Sequence, residues 1–202
     1  MIRAAFVICS ILLAWLPHVA AAADAAAPDP AAAPVRHELS FPQRHNQYVH
    51  VRATWPAGDE PLELVMPAWT PGSYLIRDFS AHVEHLRAQT PDGRVLEARK
   101  VAKNRWRIAP AGASEVTVDY DVWAGELNVA TSWVEADLAV LNGASLFLFS
   151  DASRDGPQQV AVVLPEAWSG VHTPLRATAQ PGVYHAADYD ELIDSPIVAG
   201  SL

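Results

Sequence analysis

From Val35 onward the chain alternates apolar and polar residues in short runs, the period-two pattern of half-buried strands. The clearest run places Val116, Val118, Tyr120 and Val122 on one face and Thr117, Asp119 and Asp121 on the other. Gln47–Trp55 repeats the pattern, with Val49, Val51, Ala53 and Trp55 opposed to Tyr48, His50, Arg52 and Thr54. Further strands are predicted over Val35–Phe41, Leu62–Met66, Phe79–Gln89, Val95–Lys100, Lys103–Ile108, Ser145–Phe149 and Gln159–Leu164. Gly/Pro turns such as Pro56–Asp59 and Pro91–Gly93 separate them. Strands at intervals of about 8–12 residues predict a mainly β fold: an antiparallel β-sandwich or curved β-sheet domain with at most a short helix. The ambiguous segment is Trp133–Leu141. Val134, Leu138 and Leu141 have helical spacing, and Asn142-Gly143 would stop a helix, so a short helix or an ordered loop is expected there.

Met66–Phe79 is the densest run of constrained residues. Pro71 fixes its own φ and biases Thr70 towards extended geometry; Gly72 then supplies the positive φ of a type II turn over Thr70–Ser73. Trp69, Tyr74 and Phe79 surround this turn, with Arg77 and Asp78 beside them. Such a corner either plugs the core or presents a rigid ledge to a substrate or a second domain.

Composition narrows the setting. The chain has 202 residues, 50% hydrophobic and 18% charged, enough to form a core. Its formal net charge of -9 argues against non-specific binding to nucleic acid or to an anionic membrane. Residues 1–23 are predicted to be an export signal: Arg3, then the apolar Ala4–Leu16, then Pro17 and the Ala20–Ala23 run with A-x-A cleavage sites. The expected location is therefore periplasmic or extracellular, with no membrane attachment after cleavage. Cys9 lies within the signal, which leaves the mature chain without disulfide or thiolate chemistry. Residues 24–34 contain only Ala, Pro and Asp and predict a flexible spacer; residues 35–187 are the β domain. Residues 188–202, acidic and then small and apolar, predict a linker into a further domain.

No catalytic motif stands out. His37-Glu38 begins a match to His-Glu-x-x-His, but the fifth position is Phe41 and the stretch is a predicted strand. His82 and His85 are three apart in a predicted strand and face opposite sides, and His45 and His50 do not converge. There is no G-x-S-x-G elbow and no Gly-rich phosphate loop. The cluster Asp188, Asp190, Glu191 and Asp194 is either a solvated interdomain segment or a receiver of a cation or amine; it lacks calcium-loop spacing. Trp55, Trp69, Trp106 and Trp123 lie in or beside strands, which favours core packing over a sugar platform. Neither a catalytic residue nor a metal ligand is assigned in this chain.

Several stretches, in order, resemble the N-terminal domain of the PDZ-containing glycyl aminopeptidase family, exported zinc metallopeptidases. They are Pro67–Phe79, Lys103–Trp106, Tyr120–Ala124, Asn142–Leu148, and Tyr189–Ile197 with Gly200. The resemblance implies a larger protein in which a thermolysin-like domain with His-Glu-x-x-His binds zinc and a PDZ domain follows. These C-terminal catalytic and PDZ domains would be this chain's partners, together with a peptide substrate. No zinc ligand of the family has a counterpart here, so the chain alone is expected to be inactive, shaping the substrate cleft and packing on the catalytic domain. Candidate substrate or interdomain contacts are Trp69, Tyr74, Arg77, Asp78, Asp190 and Asp194. A stand-alone exported binding module for carbohydrate or protein is the alternative.

Overall fold

The computed structural model describes residues 33–202. The expected signal, and the spacer up to residue 32, lie outside the described residues. The strands are β1 (Val35–Ser40), β2 (Tyr48–Pro56), β3 (Leu62–Val65), β4 (Val83–Gln89), β5 (Val95–Leu96), β6 (Ala98–Ala102), β7 (Arg105–Ile108) and β8 (Glu115–Trp123). Next come β9 (Trp133–Val134), β10 (Leu138–Leu141), β11 (Gln158–Val163), β12 (Gly170–His172), β13 (Arg176–Ala177) and β14 (Val183–Ala186). The helix α1 (Tyr189–Asp194) and the strand β15 (Ile197–Gly200) close the order. The fold is mainly β, as the alternation predicts.

Three sheets result. The largest has eight strands in the order β13-β14-β11-β1-β2-β8-β4-β5, and β1 runs parallel to β11 within it. A second has the order β12-β15-β10-β9, and a third β3-β7-β6. The β2–β8 pairing sets Val49 opposite Val122, Val51 opposite Tyr120, Ala53 opposite Val118 and Trp55 opposite Val116. All eight side chains are buried. One register step would turn this whole set to solvent, so the alternation fixes the pairing. The outward rows carry cross-strand polar pairs: Arg52 Nε donates to Asp119 at 2.8 Å, and the Thr54 and Thr117 hydroxyls meet at 2.9 Å. Leu64, Trp106 and Ile108 of the small sheet join the same buried cluster.

Several segments differ from the sequence expectations. Residues 133–141 form β9 and β10, not a helix or a loop, because β10 pairs with the distant β15 and the segment is too short to sustain a helix alone. Asn142 stops no helix; its side chain caps a 3-10 turn, accepting from the Ala144 N–H at 3.1 Å. Phe79–His82 is a 3-10 turn preceding β4 rather than the start of a strand. Ser145–Phe149 is not a strand: Leu146, Phe147 and Leu148 are all fully buried, so the run has no exposed face. Its backbone is held instead by the Tyr120 hydroxyl, which donates to the Leu146 carbonyl at 3.0 Å and accepts from the Leu148 N–H at 3.2 Å. Phe149 bridges to Val65 through bonds of 2.8 and 3.0 Å.

A histidine sits in this core. His37, 2% exposed, lies edge-on to Trp55 and 4.9 Å from the Phe147 ring centre. The Gln158 amide nitrogen donates to the Ser153 and Gly156 carbonyls, which turns its Oε1 towards His37 Nε2 at 3.1 Å. Nε2 is thereby the ring's N–H, and Nδ1 is buried without a partner among the described residues. Burial lowers the imidazole pKa from 6.5 to about 4, against a smaller opposing effect of the Gln158 bond.

Candidate functional site

The Pro71–Gly72 corner forms as its residues dictate. Gly72 has φ 87°, and the Ser73 N–H donates to the Thr70 carbonyl at 3.1 Å. Trp69 Nε1 donates to the Ser73 carbonyl at 2.8 Å, which ties the indole to the turn. The Arg77 N–H closes the base of the loop on the Ala68 carbonyl at 2.6 Å. Trp69 remains half exposed, whereas the other described tryptophans are buried or partly buried. Tyr74, Leu75 and Ile76 project into solvent at the loop tip.

Opposite the corner stands α1. Asp188 caps it, accepting from the Glu191 N–H at 2.7 Å, while the Glu191 carboxylate accepts from the Ala187 N–H at 2.5 Å. Tyr189 is buried and donates to the Phe147 carbonyl at 2.7 Å; burial pushes its phenol pKa well up. The 188–200 segment, expected to lead towards a further domain, is thus folded into this one as α1 and β15.

Between corner and helix lies a cleft of about 370 Å³. Pro67, Trp69, Pro71 and Phe149 form apolar walls, and Asp190 and Asp194 stand on the α1 side. Arg154 Nη2 donates to both Asp190 oxygens, at 2.9 and 3.1 Å, and its guanidinium lies 6.0 Å from the Phe149 ring centre. Asp194 is exposed and makes no side-chain hydrogen bond among the described residues. An apolar trough with one occupied and one open carboxylate suits a group with an apolar body and a cationic end.

The structure therefore brings together three of the six candidates, Trp69, Asp190 and Asp194, from segments about 120 residues apart in sequence. Tyr74, Arg77 and Asp78 do not line the cleft. Asp78 pairs with Lys103 at 2.7 Å, which holds its carboxyl below the usual carboxylate range, and accepts from Ser80 at 3.2 Å. Arg77 Nε is buried without a partner among the described residues. Sequence reasoning missed Phe149 and Arg154, which carry no motif; only the folded pairing with Tyr189 and Asp190 reveals them.

A second polar cluster lies on the outer face of the large sheet. His50 Nδ1 and His85 Nδ1 approach the two oxygens of Asp121 at 2.8 and 3.0 Å. A register shift between Glu84 and Arg87, with His85 at φ 53°, turns His85 to this face. Among the described residues no group of three or more His, Cys, Asp or Glu is arranged to hold a metal ion, and no helix is long and apolar enough to cross a membrane.

Comparison with known proteins gives three findings. The profile of the Peptidase M61 N-terminal domain family matches residues 36–201. The crystal structure of an aminopeptidase N family protein from Idiomarina loihiensis superposes with a TM-score of 0.76 and 33% identity, over 82% of this chain and 29% of that one. The crystal structure of Legionella pneumophila aminopeptidase A in complex with aspartic acid gives a TM-score of 0.49 and 12% identity, over 85% of this chain and 21% of that one. No curated protein matches. The chain thus spans less than a third of the length of either solved relative.

Proposed function

The chain belongs to the Peptidase M61 N-terminal domain family, and from this we infer that it is the non-catalytic front domain of an exported zinc aminopeptidase. The observation that carries the inference is the match over nearly the whole β domain, joined to 33% identity with an aminopeptidase N family protein that is much longer than this chain. Zinc belongs to a following thermolysin-like domain, with a PDZ domain beyond it. Among the described residues the donors do not fit the metal: the cleft lining contains no imidazole, and His50 and His85 both sit on Asp121 on another face. The chain's own contribution is shape and charge. Trp69 and the two prolines present a rigid wall, and Asp194 offers an unpaired carboxylate at its rim. A wall limits how much of a peptide enters, and a carboxylate orients a free amine.

Residues 1–23 direct export to the periplasm or beyond, and the polypeptide after β15 leads into the catalytic domain. Two measurements test the reading. The coding sequence beyond Leu202 is expected to encode His-Glu-x-x-His within about 150 residues; an unrelated or absent continuation there defeats the proposal. In the full-length enzyme, Asp194→Asn is expected to raise KM for peptides about threefold to tenfold with kcat little changed, a loss of uniform binding. Unchanged kinetics would remove the cleft from substrate handling while leaving the family assignment intact. The isolated chain is expected to release no N-terminal residue, with or without a chelator.

A further inference from the structure

A row of charges crosses the outer face of the small sheet. Glu63 on β3 stands opposite Arg107 on β7, and Arg107 stands opposite Arg99 on β6. Like charges directly opposite in an antiparallel pair disfavour the pairing. Glu63 compensates only part of the row, accepting from Arg105 Nη1 at 2.5 Å and Arg107 Nη2 at 3.1 Å. Arg99 has no ion pair among the described residues. Both Arg99 and Arg107 overhang a hollow of about 310 Å³, lined also by Pro61, Val101, Ala109 and the single carboxylate Glu97.

The surrounding sequence sharpens the contrast. The chain carries 14 Lys and Arg against 23 Asp and Glu, yet Arg94–Arg107 contains six of those cations and one carboxylate. The other nearby cations are engaged elsewhere. Lys103 pairs with Asp78 at 2.7 Å, and Lys100 turns to the opposite face, 4.8 Å from the Trp106 ring centre. The lining of the hollow therefore includes Arg99, which has no ion pair among the described residues, and Arg107, which shares Glu63 with Arg105. Backbones at directly opposite positions lie about 5 Å apart, so the two guanidiniums approach one ligand from adjacent strands. A phosphate group has oxygens pointing in several directions and can bridge both forks, whereas one fork suffices for the two coplanar oxygens of a carboxylate. We propose that the hollow between Arg99 and Arg107 on the β3-β7-β6 sheet binds a phosphate group, borne either by the free anion or by a phospholipid headgroup. The apolar lining from Pro61, Val101 and Ala109 accommodates the group that the phosphate carries.

Titration of the mature chain, from residue 24 on without the expected export signal, with inorganic phosphate at constant ionic strength tests this, followed through backbone amide resonances of β6 and β7. Saturable shifts are expected with an affinity on the order of millimolar, as for a small solvent-exposed anion site. Arg99→Gln is expected to weaken binding about fivefold or more, and Arg87→Gln, an exposed charge on β4 outside the hollow, by less than about twofold. Linear shifts, equal effects in the two variants, or the same response to acetate would overturn the proposal. A second arm finds the source. Sedimentation with phosphatidylglycerol vesicles, absent with phosphate-free galactolipid vesicles and lost in Arg99→Gln, assigns the headgroup. Phosphate binding without vesicle binding assigns the free anion, and vesicle binding that survives Arg99→Gln counts against the site.

Discussion

Lowering the pH from 7.5 to 4.5 tests the account of the core through His37. The imidazole pKa is about 4 in the folded chain and 6.5 when exposed. Below pH 6.5 the unfolded chain takes up a proton at this position while the folded chain does not, so unfolding gains. The stability that neutral His37 permits is complete above about pH 6.5 and is lost progressively as the pH falls to about 4, with no further loss below that. At about 1.4 kcal/mol per tenfold change in proton affinity, the full difference amounts to about 3 kcal/mol, most of it spent by pH 4.5. The physical cause is specific. Protonation would place an N–H and a positive charge at Nδ1, which has no acceptor among the described residues. The assay is urea unfolding of the wild-type chain and of His37→Phe at both pH values. Phe keeps a ring against Trp55 and Phe147 but cannot titrate. Other groups titrate alike in both proteins, so the difference between the two pH dependences isolates His37. The wild type is expected to lose about 2 to 3 kcal/mol more than His37→Phe. Parallel curves, within about 0.5 kcal/mol, would refute the reasoning.

Two further expectations concern the scaffold around the cleft. Tyr120→Phe removes the hydroxyl that serves both the Leu146 carbonyl and the Leu148 N–H, and is expected to cost about 2 kcal/mol or more in urea unfolding; a neutral result would mean that water or relaxation replaces both bonds. Gly143→Ala would place a Cβ 2.7 Å from the Ile193 Cα, so α1 must shift, with an expected loss of about 1 to 3 kcal/mol; an unchanged thermal midpoint would refute the close packing of the 3-10 turn against α1.

The alternation of β2 and β8 was readable because each strand has one buried and one solvated face, and the Pro-Gly corner because its residues specify their own dihedrals. Other features were hidden for physical reasons. Leu146–Leu148 is buried on every side and leaves no period to detect, so a strand was the natural but incorrect expectation. β10 exists because Ile197–Gly200 lies beside it, a pairing across more than fifty residues that no local pattern announces. Three of the six candidate residues lie in the cleft, so it was legible only in part. Trp69 was visible through its turn and Asp190 and Asp194 through their cluster, but their meeting, and the part played by Phe149 and Arg154, belong to tertiary structure. The paired approach of His50 and His85 to Asp121 depends on a bulge that alternation rules cannot place.

The position of β15 has a bearing on biosynthesis. It lies in the interior of its sheet, with β12 on one side and β10 on the other, although it is the final strand in sequence order. A polypeptide emerging amino end first cannot assemble this sheet until residues 197–200 arrive, and until then β10 and β12 present raw edges able to recruit a neighbouring molecule. A chain ending before residue 197 is therefore expected to be cleaved faster in limited proteolysis than one that includes β15.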